Sequence, residues 1–276
     1  MIFSSAGAAR TRITSFKELG PMPLRVVCLL IVAVLAGCAQ WVPAPHAQAG
    51  LGAPQEALAR VLSRYVDDRG RVDFAGLAGD RGDLDRFVAW VYATGPDNRP
   101  DLFPRRADVL AYHINAYNAL AMYNLIDAGI PQSLDGLRKF TFFYLREVNV
   151  GGKTMSLYAY ENKVIRPLGE ERVHFALNCM AVSCPRLPRV PFEAKTLDAD
   201  LEREAQRFFN EDRNVEVDAA KRSVRFSQIL DFYPADFLAK APSLIAYANR
   251  YRATPIPADY RVEFIPYDWT VNRQNP

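Results

Sequence analysis

Between His174 and Pro185 the chain reads HFALNCMAVSCP. This short stretch holds the residue types from which thiol chemistry is built. A histidine can take a proton, a cysteine can attack as its thiolate, and an asparagine can orient the histidine ring. The candidate catalytic residues are therefore His174 and Cys179, with Asn178 beside them. If residues 173–179 form a regular strand, however, His174 and Asn178 face one side and Cys179 faces the other, five steps of about 3.3 Å away. On that geometry the thiol needs a base from elsewhere. Of the three histidines, His46 sits in a proline-rich stretch, which leaves His113. Zinc is a further option, but two thiolates and His174 supply three ligands and no obvious fourth.

The elements that must position these groups give a mixed order of helices and strands. Apolar residues recur at helical spacing over 55–66 and 82–92, and Thr196 stands where it can cap a helix over 197–209. Alternation around Gly151-Gly152 and around Ala219-Ala220 predicts two hairpins, the first leading into a helix over 158–165. Residues 173–179 read as a strand, as do 262–265, with short helices at 232–238 and 242–251. The segment 107–128 is apolar on every face except for its asparagines, the pattern of a buried central helix. On it Asn115 and Asn118 lie about 60° apart and need polar partners. They are candidates either to tie down neighbouring backbone or to line the floor of a cleft. Glu161 and Arg166 read as a structural ion pair, and Asp268-Trp269 as a latch for the last segment. The expectation is a single α+β domain over residues 55–276 with the 107–128 helix at its centre.

Upstream, residues 22–38 read MPLRVVCLLIVAVLAGC. An arginine followed by an apolar run too short to span a bilayer is the pattern of a signal peptide. Its end, Leu35-Ala36-Gly37-Cys38, resembles the lipobox of bacterial lipoproteins. That resemblance implies lipidation of Cys38, removal of the residues before it and a membrane anchor made of lipid; Met22 reads as the true start, because residues 1–21 would add a long polar n-region with an acid, Glu18, in it. Ala39-Gln40 after the cysteine, with no Asp, implies sorting to the outer membrane on its periplasmic side. Residues 38–54 carry three prolines and no apolar period, and read as a tether. Export also bears on the cysteines. Cys28 leaves with the signal peptide and Cys38 is lipidated, so Cys179 and Cys184 remain as a pair in an oxidising compartment. A disulfide there requires Met180 to Ser183 to turn, and would stabilise the fold by about 2 kcal/mol. The chain has 34 basic and 31 acidic residues; residues 1–37 hold four and one of these, leaving thirty of each. A neutral mature chain has no electrostatic footprint for nucleic acid.

Seven segments occur in the order of a known family: VDFAGL (72–77), AYHINAYNAL (111–120), GGKTMSL (151–157), Glu161 to Arg166, RVHFALNCMAVSCP (172–185), FYPADF (232–237) and YDWTVN (267–272). Together they resemble the domain of unknown function 547 family over nearly everything after the tether. The resemblance brings no assigned mechanism. It also marks His113 as a departure, because the family usually has tryptophan there. Other signatures fail. Gly152-Lys153-Thr154 lacks the first glycine of a phosphate loop, and there is no dinucleotide fingerprint, HExxH helix or GxSxG elbow. Asp67-Asp68 lacks the spacing of a calcium loop. Neither a cofactor nor a metal is expected. Two functions fit: an envelope lipoprotein that binds a peptide, glycan or protein partner in a cleft involving Asn115, Asn118 and Asn178, with Cys179 and Cys184 bridged; or a papain-like or transglutaminase-like hydrolase or acyl transferase using Cys179 with His174 or His113.

Overall fold

The helix that organises the chain spans Arg106–Asp127, and sixteen of its 22 residues are buried. Ala116, Ala119 and Ala121 on it are fully covered, and their small side chains let neighbours approach from all sides. The computed structural model describes residues 40–45 and 53–274. Cys38, the signal peptide, His46 and the middle of the expected tether lie outside the described residues. In chain order the elements are β1 (Gln40–Trp41), α1 (Pro54–Tyr65), α2 (Phe74–Gly79), α3 (Gly82–Ala93), α4 (Arg106–Asp127), α5 (Gly136–Phe140), β2 (Arg146–Val150), β3 (Lys153–Ser156) and α6 (Leu157–Tyr160). There follow α7 (Leu197–Phe209), β4 (Val215–Asp218), β5 (Ser223–Ser227), α8 (Ile229–Phe232), α9 (Pro234–Leu238), α10 (Leu244–Ala248) and β6 (Arg261–Ile265). Among the described residues, ten α-helices and two three-stranded sheets, β1-β2-β3 and β4-β5-β6, make an α+β domain. No helix among the described residues is long and apolar enough to cross a membrane.

Two apolar clusters hold the fold. The first surrounds α4 and takes in α1, α3 and β2. The second is aromatic and joins α7 to the second sheet and the short carboxyl-terminal helices through Phe175, Phe209, Phe226, Phe237 and Tyr247. Burying each such side chain contributes roughly 1.5–3 kcal/mol. The β2–β3 hairpin turns at Gly151 and Gly152, whose φ values of 59° and 85° suit the mirror-image turn that two-residue hairpins favour. Their amides donate to Val91 and Tyr92 carbonyls at 2.8 and 2.9 Å, fastening the hairpin to α3. The last segment is a latch as expected. Leu134 N–H donates to Trp269 O and Val182 N–H to Thr270 O, both at 2.8 Å, so residues 268–272 tie the start of α5 to the cysteine loop.

Four expectations are corrected. Residues 171–175 form a 3-10 turn rather than a strand. Val173 and Leu177 belong to the first cluster while Phe175 is buried in the second, so their alternation divides two cores rather than two faces of a sheet. Among the described residues no strand pairs with this backbone, and the Asn118 side chain satisfies it instead: Nδ2 donates to Ala176 O at 3.0 Å and Oδ1 accepts from Asn178 N–H at 2.7 Å. Thr196 does not cap α7; its hydroxyl donates to Asp200 at 2.7 Å. Arg166 pairs with Asp236, not with Glu161. The start of the tether is docked: β1 runs parallel to β2, Val42 is buried, and Tyr123 donates to Pro43 O at 2.9 Å.

Candidate functional site

Where the two clusters meet, the surface opens into a cavity of about 340 Å³, within the range of small-ligand sites. Two single-turn π-helices, Thr141–Leu145 and Glu161–Ile165, flank the first hairpin and continue α5 and α6. One brings Phe143 and Tyr144 to the cavity and the other Glu161 and Asn162. Such turns re-aim a helix face, and they recur at functional sites. The far wall is Phe232, Tyr233, Tyr267 and Trp269, and the depth holds His174, Cys179 and Cys184.

His174 is buried, its ring stacked on Tyr233 at 4.1 Å between centroids. Its Nε2 lies 2.8 Å from Asp236 Oδ2. Arg166 grips the same carboxylate with two nitrogens at 2.8 and 2.9 Å, reaches Asn162 at 2.6 Å, and covers the Tyr233 ring. The bond to His174, together with that to Arg166, holds the Asp236 carboxyl well below the usual carboxylate range. This is a fixed imidazole, oriented by a charged carboxylate that is itself oriented.

The cysteine loop supplies the turn that a bridge requires. Met180 has a φ of 70°, a left-handed conformation uncommon for a side-chain-bearing residue. Asn178 supports it by accepting the Met180 N–H at 2.7 Å while donating to Pro185 O at 2.7 Å. Cys184 N–H then donates to Ala181 O at 3.1 Å. The two sulfurs lie 2.7 Å apart as free thiols. Burial pushes the Cys184 thiol up, but hydrogen bonds from the Cys179 thiol, Tyr267 hydroxyl and nearby backbone amides outweigh it and bring it below the ordinary thiol value. Cys179 is pushed well up by its bond to Cys184 and by burial. Of the two, Cys184 is the more acidic.

The structure therefore brings His174, Cys179 and Cys184 to one cavity, which the strand geometry did not allow. Neither sulfur is within hydrogen-bonding distance of His174 among the described contacts; the sulfurs face each other and Tyr267, at 3.4 Å from Cys179 and 3.2 Å from Cys184. His113 is elsewhere. It is buried in α4 with Nδ1 2.8 Å from Tyr160 Oη, and does not line the cavity. Burial lowers its pKa from 6.5 to about 4. Asn115, Asn118 and Asn178 do not line this cavity; Asn115 lines a second one, of about 390 Å³, with Leu58, Trp90 and Phe192. Asn115 holds both the carbonyl and the amide of Phe192, at 2.8 and 3.0 Å, and Asn118 and Asn178 are spent on backbone as described. Among the described residues no group of three or more His, Cys, Asp or Glu gathers as metal ligands.

The residues that sequence reasoning missed as site members are Lys139, Tyr144, Glu161, Tyr233, Asp236, Tyr267 and Trp269. The segments FYPADF and YDWTVN contained four of them, and an acid or tyrosine between aromatics was the signal available. Lys139 lies over Trp269 with its ammonium 3.9 Å from the ring centroid, and burial lowers its pKa.

Residues 104–209, from the start of α4 to the end of α7, match the family described as protein of unknown function, DUF547. The resemblance read from the motifs is thus present over the central helix, the two π-turns and the cysteine loop. No curated protein and no solved structure matches the chain.

Proposed function

We propose that this chain is an envelope lipoprotein, exported and held by lipid on Cys38, whose domain binds a partner molecule in the cavity between its two cores. The outer membrane, facing the periplasm, is its proposed location. The carrying observation is the composition of the cavity: flat aromatic walls from Phe232, Tyr233 and Trp269, with charged groups placed among them. Aromatic surface of this kind offers contact at little cost in side-chain entropy. In this reading Cys179 and Cys184 are bridged beneath the ligand. Forming the bond releases two protons and two electrons to a disulfide donor of the compartment, and the loop is already turned for it. Photo-crosslinking tests the binding. A benzoylphenylalanine at Tyr158, on the rim, should give discrete adducts in intact cells that are lost on substituting Lys139 or Trp269. The same group at Val217, exposed on β4, should not give them. Identical adducts from both positions would overturn the reading.

A second reading rests on the His174–Asp236 pair. With Nε2 held by Asp236, the other ring nitrogen is left for a thiol, the division of labour a papain-like or transglutaminase-like hydrolase needs. The absence of a sulfur contact to His174 among the described residues places it second.

A further inference from the structure

The Cys184 sulfur gathers donors. Cys179 N–H donates to it at 3.0 Å and the Tyr267 hydroxyl at 3.2 Å. The loop that carries it is clamped from outside: Arg213 donates to Val182 O at 2.9 Å, and Asp268 N–H donates to Ser183 Oγ at 2.8 Å. The turn is therefore held by bonds other than one between the sulfurs. Cys179 stands differently. It is half-buried where Cys184 is 2% exposed, and both line the cavity, so a molecule entering reaches the Cys179 sulfur first. Lys139 lines the same cavity, close enough for its ammonium to interact with charge on Cys179, which favours the approach of an anion.

A hydrogen bond to a charged sulfur is stronger than one to a neutral sulfur. The two donors therefore favour the state in which Cys184 is a thiolate, and that state is what remains when a bridge is opened from the side of Cys179. Stabilising the departing thiolate speeds its departure, and stabilising the reduced form makes a disulfide easier to reduce. We propose that Cys179 and Cys184 form an exchange-active bridge, which passes its disulfide to a thiol-bearing ligand of the cavity. A ligand thiolate attacks Cys179 Sγ and bonds to it, while the bond to Cys184 breaks and its electron pair goes to Cys184 Sγ. A second thiolate then attacks the ligand sulfur of this mixed disulfide, and Cys179 leaves as a thiolate and takes up a proton. Two ligand thiols are oxidised to a disulfide and the pair is reduced by two electrons; a disulfide donor of the compartment restores the bridge. No acyl group is taken and no histidine base is needed, in keeping with sulfurs that face Tyr267 and not His174. The inference rests on the bridge of the binding reading and adds what that bridge does.

The test equilibrates the full chain in about 10 mM reduced and about 1 mM oxidised glutathione, followed by acid quenching, alkylation and peptide mass spectrometry. At least about one-tenth of the pair is expected to be reduced, where a structural bridge would leave under about one-thousandth. Tyr267→Phe removes one donor from the Cys184 thiolate and should move the equilibrium about tenfold toward the bridge, equivalent to about 30 mV, with the melting temperature measured alongside. If that variant does not fold, the unsubstituted chain still reports. Rapid quenching after mixing the bridged protein with reduced glutathione should place the adduct on Cys179 at least about tenfold over Cys184. Glutathione and a reduced two-cysteine peptide at equal thiol concentration separate the sources: faster opening by the peptide assigns a protein thiol, faster opening by glutathione a small one. A pair still fully bridged in the glutathione buffer, or an adduct on Cys184, would overturn the exchange while leaving the bridge and the cavity as they stand. A pair that does not close under excess oxidised glutathione would overturn the bridge as well.

Discussion

His113 offers a sharp test of the buried centre, because its effect on stability can be calculated in sign and size. The ring is packed inside the first cluster, edge-on to Tyr112 and Tyr160, and is only 6% exposed. Burial lowers its pKa from 6.5 to about 4, with Asp97 opposing weakly. In the unfolded chain the imidazole takes up its proton near pH 6.5; in the folded chain it stays neutral until about pH 4. Between those values the unfolded state binds more protons, so stability is complete above pH 6.5 and is lost as pH falls toward 4. A pKa difference of this size amounts to about 3 kcal/mol. The perturbation is His113→Gln, which cannot titrate and can still meet the Tyr160 hydroxyl. Urea unfolding followed by circular dichroism at pH 7, 6, 5 and 4 gives the stability of each protein. Carboxylates such as Asp236 contribute at the acid end in both, so the difference between the two curves isolates the histidine. That difference should narrow by about 3 kcal/mol from pH 7 to pH 4, the variant being the flatter. Parallel curves would show that His113 is not held neutral, and would refute the placement of its ring.

Two other substitutions test the buried backbone around Asn118 and the proposed lipid anchor. Asn118→Ala leaves Ala176 O and Asn178 N–H buried without their partner, which should cost about 3 kcal/mol and lower Tm by roughly 6–12 °C; an unchanged melting curve would mean that this backbone is held some other way. Cys38→Ser should move the protein from the membrane fraction to the soluble one, with an unmodified amino-terminal peptide on mass spectrometry, whereas unaltered fractionation would contradict a lipid anchor.

The elements that were legible in the sequence are those whose packing is local in chain order. α7 carries acids in its first turn and an apolar stripe through Leu201, Ala205 and Phe208, and α4 is apolar all round, so the side-chain period reports the burial directly. Residues 173–179 misled because the period-two pattern arose from alternation between two separate cores, and the hydrogen bonds that would define a strand went to the Asn118 side chain. The cavity was less legible still. Its walls come from positions 117, 139–144, 158–166, 174–185, 229–233 and 267–269, segments whose adjacency depends on tertiary packing. Asp236 was readable as a lone acid in FYPADF, but nothing in the spacing linked it to a histidine 62 residues away. The cysteine loop shows the converse: two thiols four residues apart in the intervening count could be paired from sequence, while the hydrogen bonds that distinguish Cys184 from Cys179 required the position of Tyr267.

What divides a binding cleft floored by a bridge from a thiol enzyme is the state of Cys179 and Cys184. The direct measurement is alkylation of the unreduced protein taken from the cell envelope, followed by intact mass and peptide mass spectrometry. The binding account predicts no label on either cysteine and a mass two hydrogens below that of the dithiol, with both residues labelled only after reduction. Two labelled thiols in the unreduced protein, one of them titrating below about pH 7 as activated thiolates do, would contradict it and establish the cysteine-dependent reading in its place.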